Sequence, residues 1–165
     1  QQLWRWFQAV DLDRNGTVSM REMQQALGSA GLHLSNSAVA MLIRMHDRER
    51  DGLVDFEEFK QLHNFILSVQ DSFNHFDADR SGTLDRAEIS RALVLNGFKL
   101  DDPAFEAAFR SFDCDKTGSL RLDDYIQLAA FLSEARRVYG TFRPGPGGRV
   151  EMHFDHFVYA ASHLR

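Results

Sequence analysis

Apolar residues recur along this chain at three- and four-residue steps, in runs separated by short acidic stretches that carry glycine. The clearest run is Phe56–Phe76, where Phe59, Leu62, Phe65, Ile66, Val69, Phe73 and Phe76 share one helical face. It predicts a single helix about 31 Å long at 1.5 Å per residue. Leu122–Phe142 predicts a second long helix, and Phe154, Phe157, Val158 and Ala161 a last short one. Between these, Gly28–Gly31 should break one helix and Ser35 cap the next. Asn96-Gly97 should end another, with Asp102 as the cap and Pro103 as the first residue of the helix that follows. The pattern is that of an all-α protein with about eight helices.

The polar stretches between the runs repeat. Asp77–Glu88, DADRSGTLDRAE, places oxygen-bearing side chains at its positions 1, 3, 5, 9 and 12: Asp77, Asp79, Ser81, Asp85 and Glu88. Position 7, Thr83, offers its backbone carbonyl, and Gly82 sits at position 6, where such a loop turns sharply. A hard cation such as Ca²⁺ takes six to eight oxygens at roughly 2.3–2.6 Å, and a twelve-residue loop ending in a bidentate Glu supplies them. This is the EF-hand loop pattern.

First positions of equivalent loops fall at Asp11, Asp47, Asp77, Asp113 and, by extrapolation, Arg143, at intervals of 36, 30, 36 and 30. The long intervals hold two helices and a linker, the short ones a single helix shared by neighbouring hands. Five hands with loops at 11–22, 47–58, 77–88, 113–124 and 143–154 therefore fill residues 1–165 as one domain.

The loops are unequal. Asp11–Glu22 is complete, with Asp11, Asp13, Asn15, Thr17, Ser19 and Glu22, and ranks with Asp77–Glu88. The second, with Asp47, Glu49, Asp51, Leu53, Asp55 and Glu58, ranks below them. Glu49 is one methylene long for its position, and five carboxylates repel one another when empty. The fourth, with Asp113, Asp115, Thr117, Ser119 and Asp124, is weaker still. Arg121 brings a positive charge to position 9, and the short Asp124 favours octahedral Mg²⁺ or no ion. In the fifth, Arg143, Gly145 and Gly147 replace the acids, Pro144 and Pro146 stiffen the run, and Phe154 stands at position 12.

Position-8 residues of paired hands form short antiparallel bridges, so Val18 should meet Val54 and Leu84 should meet Leu120. Val150 is left over. An unpaired hand flanked by apolar residues predicts a dimer about a two-fold axis, with Val150, Phe154, Phe157 and Val158 at its interface.

Composition narrows the class. A net charge of −5, carried mostly by the loops, gives no reason to expect nucleic acid as a partner. Cys114 is the one cysteine, which rules out an internal disulfide and favours a reducing, cytoplasmic setting. No apolar run is long enough to span a membrane. The chain starts at Gln1 rather than Met, which reads as a fragment, with any upstream signal out of view.

Five hands, alternating intervals, two shared helices and a ligand-poor last hand together resemble the penta-EF-hand family over Leu3–Arg165. The acidic first loop is more like the apoptosis-linked gene 2, peflin and sorcin branch than the calpain domains. The resemblance implies a cytoplasmic calcium sensor and adaptor, a homodimer or a heterodimer with another penta-EF-hand chain. It implies Ca²⁺-dependent binding of protein targets, with apolar or Pro-rich segments as candidates, and Ca²⁺-dependent association with membranes. The alternatives are a calpain-type regulatory subunit of a protease and a passive Ca²⁺ buffer.

Other residues are read as follows. Trp4 and Phe7 share a face and are assigned to the core, while Trp6 points elsewhere and is a candidate for partner contact. Met20, Met23, Met41 and Met45 have core spacing, Cys114 points outward, and His153 and His156 lack a third metal ligand. No catalytic set emerges: there is no Ser/His/Asp arrangement, no phosphate loop after a strand and no HExxH.

Overall fold

A computed structural model describes residues 2–164 of the 165. Its described residues form eight α-helices: α1 Gln2–Val10, α2 Met20–Ser29, α3 Asn36–His46, α4 Phe56–Phe76, α5 Arg86–Leu95, α6 Asp102–Phe112, α7 Leu122–Thr141 and α8 Phe154–Ser162. Helix α4 closes the second hand and opens the third, and α7 does the same for the fourth and fifth. Both shared helices follow the predicted runs, α7 stopping one residue short at Thr141. Strands β1 Leu84–Asp85 and β2 Ser119–Leu120 pair antiparallel with Leu84 opposite Leu120, and Val18 and Val54 form an isolated antiparallel bridge.

Local chemistry sets the helix starts. Ser19, Asp55 and Asp85 each cap a helix while the Glu three residues later reaches back to the cap's own amide. Two expectations shift slightly. Helix α2 runs through Gly28 and stops at Ser29, because a single Gly in the last turn costs only about 1 kcal/mol. The cap of α6 is Asp101, whose carboxylate accepts the Ala104 amide at 2.9 Å, so Asp102 is already helical. Pro103 sits within the first turn, where amides lack helical acceptors and a missing N–H costs nothing.

Helix α7 is the spine. Tyr125, Ile126, Leu128, Ala130 and Leu132 are buried along it, and it packs against α3 from the first pair of hands and α4 from the centre. Polar bonds reinforce both contacts: Ser35 Oγ to Gln127 Oε1 at 2.8 Å, and Ser72 Oγ to the Tyr125 hydroxyl at 3.1 Å. Glu134 is 2% exposed and is neutralised by Arg137, whose Nε donates at 2.8 Å. Apolar packing continues through both pairs of hands, from Phe7 and Met23 to Phe109 and Leu132. Met23 and Met41 lie inside it and Met20 and Met45 at its edge. Trp4 departs from its core assignment: it stacks on Phe7 and meets Phe56 edge-on yet stays 45% exposed, at the margin of the packing that buries Phe7.

Helix α8 is different. No residue of it is buried, and Phe154, at 80% exposed, Phe157, Val158 and Tyr159 face outward. Phe109 tests the core: its ring is fully enclosed, with the Arg86 guanidinium 4.5 Å from its centroid. Phe109→Ala should lower the unfolding free energy in urea by about 3–5 kcal/mol. Leu95→Ala, at an exposed position, should change it by less than about 0.5 kcal/mol. Equal effects of the two would show that α6 is not packed as described.

Candidate metal centres

Each of the first four loops is wound around its first carboxylate. Asp11 accepts the amides of Asn15 at 3.0 Å and Gly16 at 2.9 Å. Asp77 accepts those of Ser81 and Gly82, and Asp113 those of Thr117 and Gly118, at 2.9–3.1 Å. Asp47 takes Arg50 and Gly52 at 2.6 and 2.9 Å. To turn these amides inward the backbone enters the left-handed region at position 4, with φ of +59° at Arg14, +58° at Arg50, +56° at Arg80 and +56° at Lys116. For L-residues that region costs roughly 1–2 kcal/mol, which the amide–carboxylate bonds offset. Position 6 enters it too, at Gly16 with φ +87°, where glycine has no such penalty.

The last carboxylate closes three loops from the other side. Glu22 accepts the Leu12 amide and the Ser19 amide, both at 2.9 Å, and the Ser19 hydroxyl at 2.7 Å. Glu58 likewise holds the amides of Arg48 and Asp55, and Glu88 those of Ala78 and Asp85. All three are buried. The Ser19 amide and hydroxyl hold the Glu22 carboxyl below the usual carboxylate range, and Ser81 does the same for Asp79. In Asp113, burial pushes the carboxyl up but the Gly118 and Thr117 amides more than reverse it.

The fourth loop differs from these three at position 12. Among the described residues Asp124 accepts only the Arg121 amide, at 3.3 Å, and makes no bond to the Cys114 amide. Its side chain is one methylene too short to span the loop. Burial pushes the Asp124 carboxyl above its ordinary value, and the Arg121 guanidinium stands 3.7 Å from both Asp123 and Asp124. A built-in cation thus occupies the neighbourhood of position 12.

Among the described residues, the acidic group whose ligand atoms all lie within 4.8 Å of one another is Asp11, Asp13 and Glu22. Asn15 is tied to the same cluster through Asp13. These are hard oxygen donors, which suit Ca²⁺ or Mg²⁺ rather than a soft ion. In the third loop Asp77, Asp79, Asp85 and Glu88 stand at the same positions without meeting that distance. The five carboxylates of the second loop are spread along it in the same way. His153 and His156 are exposed, their rings 5.8 Å apart, and belong to no metal-capable group among the described residues. Cys114 is exposed, as expected.

The fifth loop keeps Gly148 at φ +69° in position 6, but position 4 is Pro146, whose ring holds φ near −65°. The left-handed turn moves instead to Arg143 and Gly147, and Pro146–Gly148 form a 3₁₀ turn. Val150 enters no bridge among the described residues.

Beside the loops lies an apolar groove of about 750 Å³, lined by Trp6, Met23, Leu27, Phe59, Leu62 and His63 and reaching Gly82 of the third loop and Arg121 of the fourth. His63 Nδ1 is buried there without a hydrogen-bond partner, and burial pushes its imidazole toward the neutral form. Trp6, off the core face of α1 in sequence, lies 5.2 Å from His63, ring to ring. The groove as a whole had no sequence signal, since its walls come from α1, α2 and α4.

Residues 1–62 and 68–130 match the family described as EF-hand domain pair. The chain is 32% identical over 147 residues to penta-EF hand domain-containing protein 2 of Dictyostelium discoideum, a match covering 89% of this chain and 71% of that protein. The chain belongs to the penta-EF-hand family. Peflin from Homo sapiens is 30% identical over 158 residues, 94% of this chain and 55% of peflin. Sorcin from Mus musculus is 27% identical over 161 residues, 94% of this chain and 80% of sorcin. The chain thus spans a little over half the length of the curated peflins it matches. A solved structure described as a homolog of programmed cell death 6 protein from Leishmania major Friedlin is 36% identical. It aligns with a TM-score of 0.76 over 100% of this chain and 95% of that one. The match to this penta-EF-hand family bears out the resemblance drawn from the loop intervals.

The closing bonds are testable by amide hydrogen exchange. The Leu12, Arg48 and Ala78 amides, each held by a buried Glu, should exchange more slowly than the Cys114 amide, which no carboxylate holds. Equal protection at all four would contradict the difference between Glu and Asp at position 12.

Proposed function

We propose that this penta-EF-hand chain is a Ca²⁺ sensor that dimerises through its fifth hand and docks an apolar segment of a target protein in its groove. The observation that carries the reading is the convergence of Asp11, Asp13 and Glu22 on one point of a pre-wound loop. Asp11, Asp13, Asn15, the Thr17 carbonyl and Glu22 are the proposed ligands there, with Ser19 at position 9. Asp77, Asp79, Ser81, the Thr83 carbonyl, Asp85 and Glu88 are the corresponding set in the third loop. Asp47, Glu49, Asp51, the Leu53 carbonyl, Asp55 and Glu58 rank second. Asp113, Asp115, Thr117, Ser119 and Asp124 rank last, with Mg²⁺ or no ion.

Bound in such a loop, Ca²⁺ supplies the positive charge that offsets the mutual repulsion of the carboxylates. The chain's own part is mechanical. Glu22 sits at the start of α2 and Glu88 at the start of α5, so turning either carboxylate into its loop moves the helix it belongs to. Helices α1 and α2 are walls of the groove, and Gly82 of the third loop reaches it. A sensor hand uses that movement to widen an apolar surface. The orphaned His63 Nδ1 would then receive a polar partner from a docked segment.

Dimerisation is supported by the unpaired Val150 and by the exposed Phe154, Phe157 and Val158 on α8. Two copies related by a two-fold axis would pair the fifth hands as the other hands pair within the chain.

Calorimetric Ca²⁺ titration tests the sites. Glu22→Ala and Glu88→Ala should each weaken one site by at least the roughly 10–100-fold that losing a supporting group costs, and both should blunt the Ca²⁺-dependent rise in hydrophobic-dye fluorescence. Asp124→Ala should leave the titration nearly unchanged. Unaltered stoichiometry and affinity in Glu22→Ala would refute the site, and a titration without any dye response would identify a buffer. Sedimentation tests the dimer: Val150→Asp or Phe157→Asp should give monomers, and dimers that persist in both would remove the fifth hand from the interface. A wild-type chain that stays monomeric and pairs only with a different penta-EF-hand chain would favour the regulatory-subunit reading.

A further inference from the structure

The chain has two Asn-Gly steps, Asn15-Gly16 in the first loop and Asn96-Gly97 at the end of α5. Such a step is chemically labile. The glycine backbone nitrogen, unshielded by a Cβ, can attack the preceding side-chain carboxamide and close a succinimide ring. All four residues are exposed, so access of water does not separate the two steps. Their hydrogen bonds do.

At Asn15 each bond falls where ring closure needs it. The Gly16 N–H donates to Asp11 Oδ2 at 2.9 Å, so a carboxylate stands in reach of the proton on the attacking nitrogen. Asn15 Oδ1 accepts the Thr17 amide at 2.8 Å and the Thr17 hydroxyl at 2.7 Å. Those are two donors on the oxygen that becomes negative as the nitrogen adds. The bond to the Thr17 amide also folds the carboxamide back over the backbone that follows it. Nothing lies within 4 Å of the place a Gly16 Cβ would take, so the turn is uncrowded.

Asn96 differs at each point. The Gly97 N–H donates to the Val94 carbonyl at 3.0 Å, an oxygen that cannot keep its proton. Asn96 Oδ1 accepts no hydrogen bond among the described residues, and its amino group is tied to Ser72 Oγ at 3.1 Å and the Ala92 carbonyl at 2.7 Å. Gly97 is pinned as well: Arg136 Nη2 donates to its carbonyl at 2.9 Å while the guanidinium lies over the Phe98 ring.

We propose that Asn15 is a site of self-modification, converting to aspartate or isoaspartate in the folded chain while Asn96 is preserved. The Gly16 nitrogen bonds to Asn15 Cγ and passes its proton to Asp11. The Cγ–Nδ2 bond then breaks, and the amino group leaves as ammonia with the proton that Asp11 returns. Water opens the succinimide at one of its two carbonyls, leaving aspartate or isoaspartate at position 15. Either product adds a negative charge beside Asp11, Asp13 and Glu22. Isoaspartate also puts an extra methylene into the backbone of a loop whose amides are matched to Asp11.

The test follows the full chain at neutral pH with chelator, so its outcome is independent of the Ca²⁺ reading. Ammonia release is measured, and the two Asn-Gly peptides are separated after digestion and identified by mass. In the folded chain position 15 should convert at least about tenfold faster than position 96, tenfold being the worth of one charge-assisted bond. In concentrated urea, where neither set of bonds survives, the two should convert at equal rates. Thr17→Val removes the hydroxyl from Asn15 Oδ1 while keeping the amide and the shape. It should slow position 15 about tenfold and leave position 96 unchanged. Equal rates in the folded wild-type chain, a preference for position 15 that persists in urea, or a Thr17→Val chain that converts at the wild-type rate would each overturn the proposal.

Discussion

The structure depends on how carboxylates satisfy backbone amides in a tightly turned loop. Each of the first four loops exposes a set of inward amides with no helical or strand partner, and burying them unpaired would cost about 1–3 kcal/mol apiece. The Asp at position 1 takes two of them, and the Glu at position 12 takes those at positions 2 and 9 in the first three loops. The same Glu is the third residue of the exiting helix and completes its capping box. One side chain therefore joins the loop's closure to the helix's start.

The bridges and the spine carry this beyond a single hand. Val18 with Val54 and Leu84 with Leu120 tie the loops in twos, all four side chains fully buried. Helix α7 then packs across α3 and α4, joining the first pair of hands to the second. The fifth hand follows the far end of this same helix, with Val150 in no bridge among the described residues. Its loop departs from the others because Pro146 occupies position 4, which is left-handed in the other four. Among the described residues its helix α8 buries none of its side chains, and Phe154, Phe157 and Val158 are exposed.

Charge is distributed as unevenly as shape. The acids are gathered in the loops, where amide and hydroxyl donors hold the Glu22, Asp79 and Asp113 carboxyls below their ordinary range. The fourth loop has drawn Arg121 toward its short closing Asp. Where the second loop meets α7 and α8 both signs meet, Arg44, Arg48, Arg50 and Arg137 lining a cavity with Asp47 and Glu134. The apolar groove holds a desolvated imidazole and reaches one charge of each sign, Arg121 and Asp123. Three chemically distinct surfaces thus lie on one small fold.

Much of this was legible in the residues themselves. Helical spacing marked out α4 to the residue, and the intervals of 36 and 30 named which helices are shared. Position 8 named both bridges. These are local facts, written in period, spacing and side-chain length. Trp4 at the margin of the core, the groove around His63 and the gathering of Arg44, Arg48, Arg50 and Arg137 were not legible. Each is made by elements distant in the chain, and only helix packing brings their side chains to a common surface.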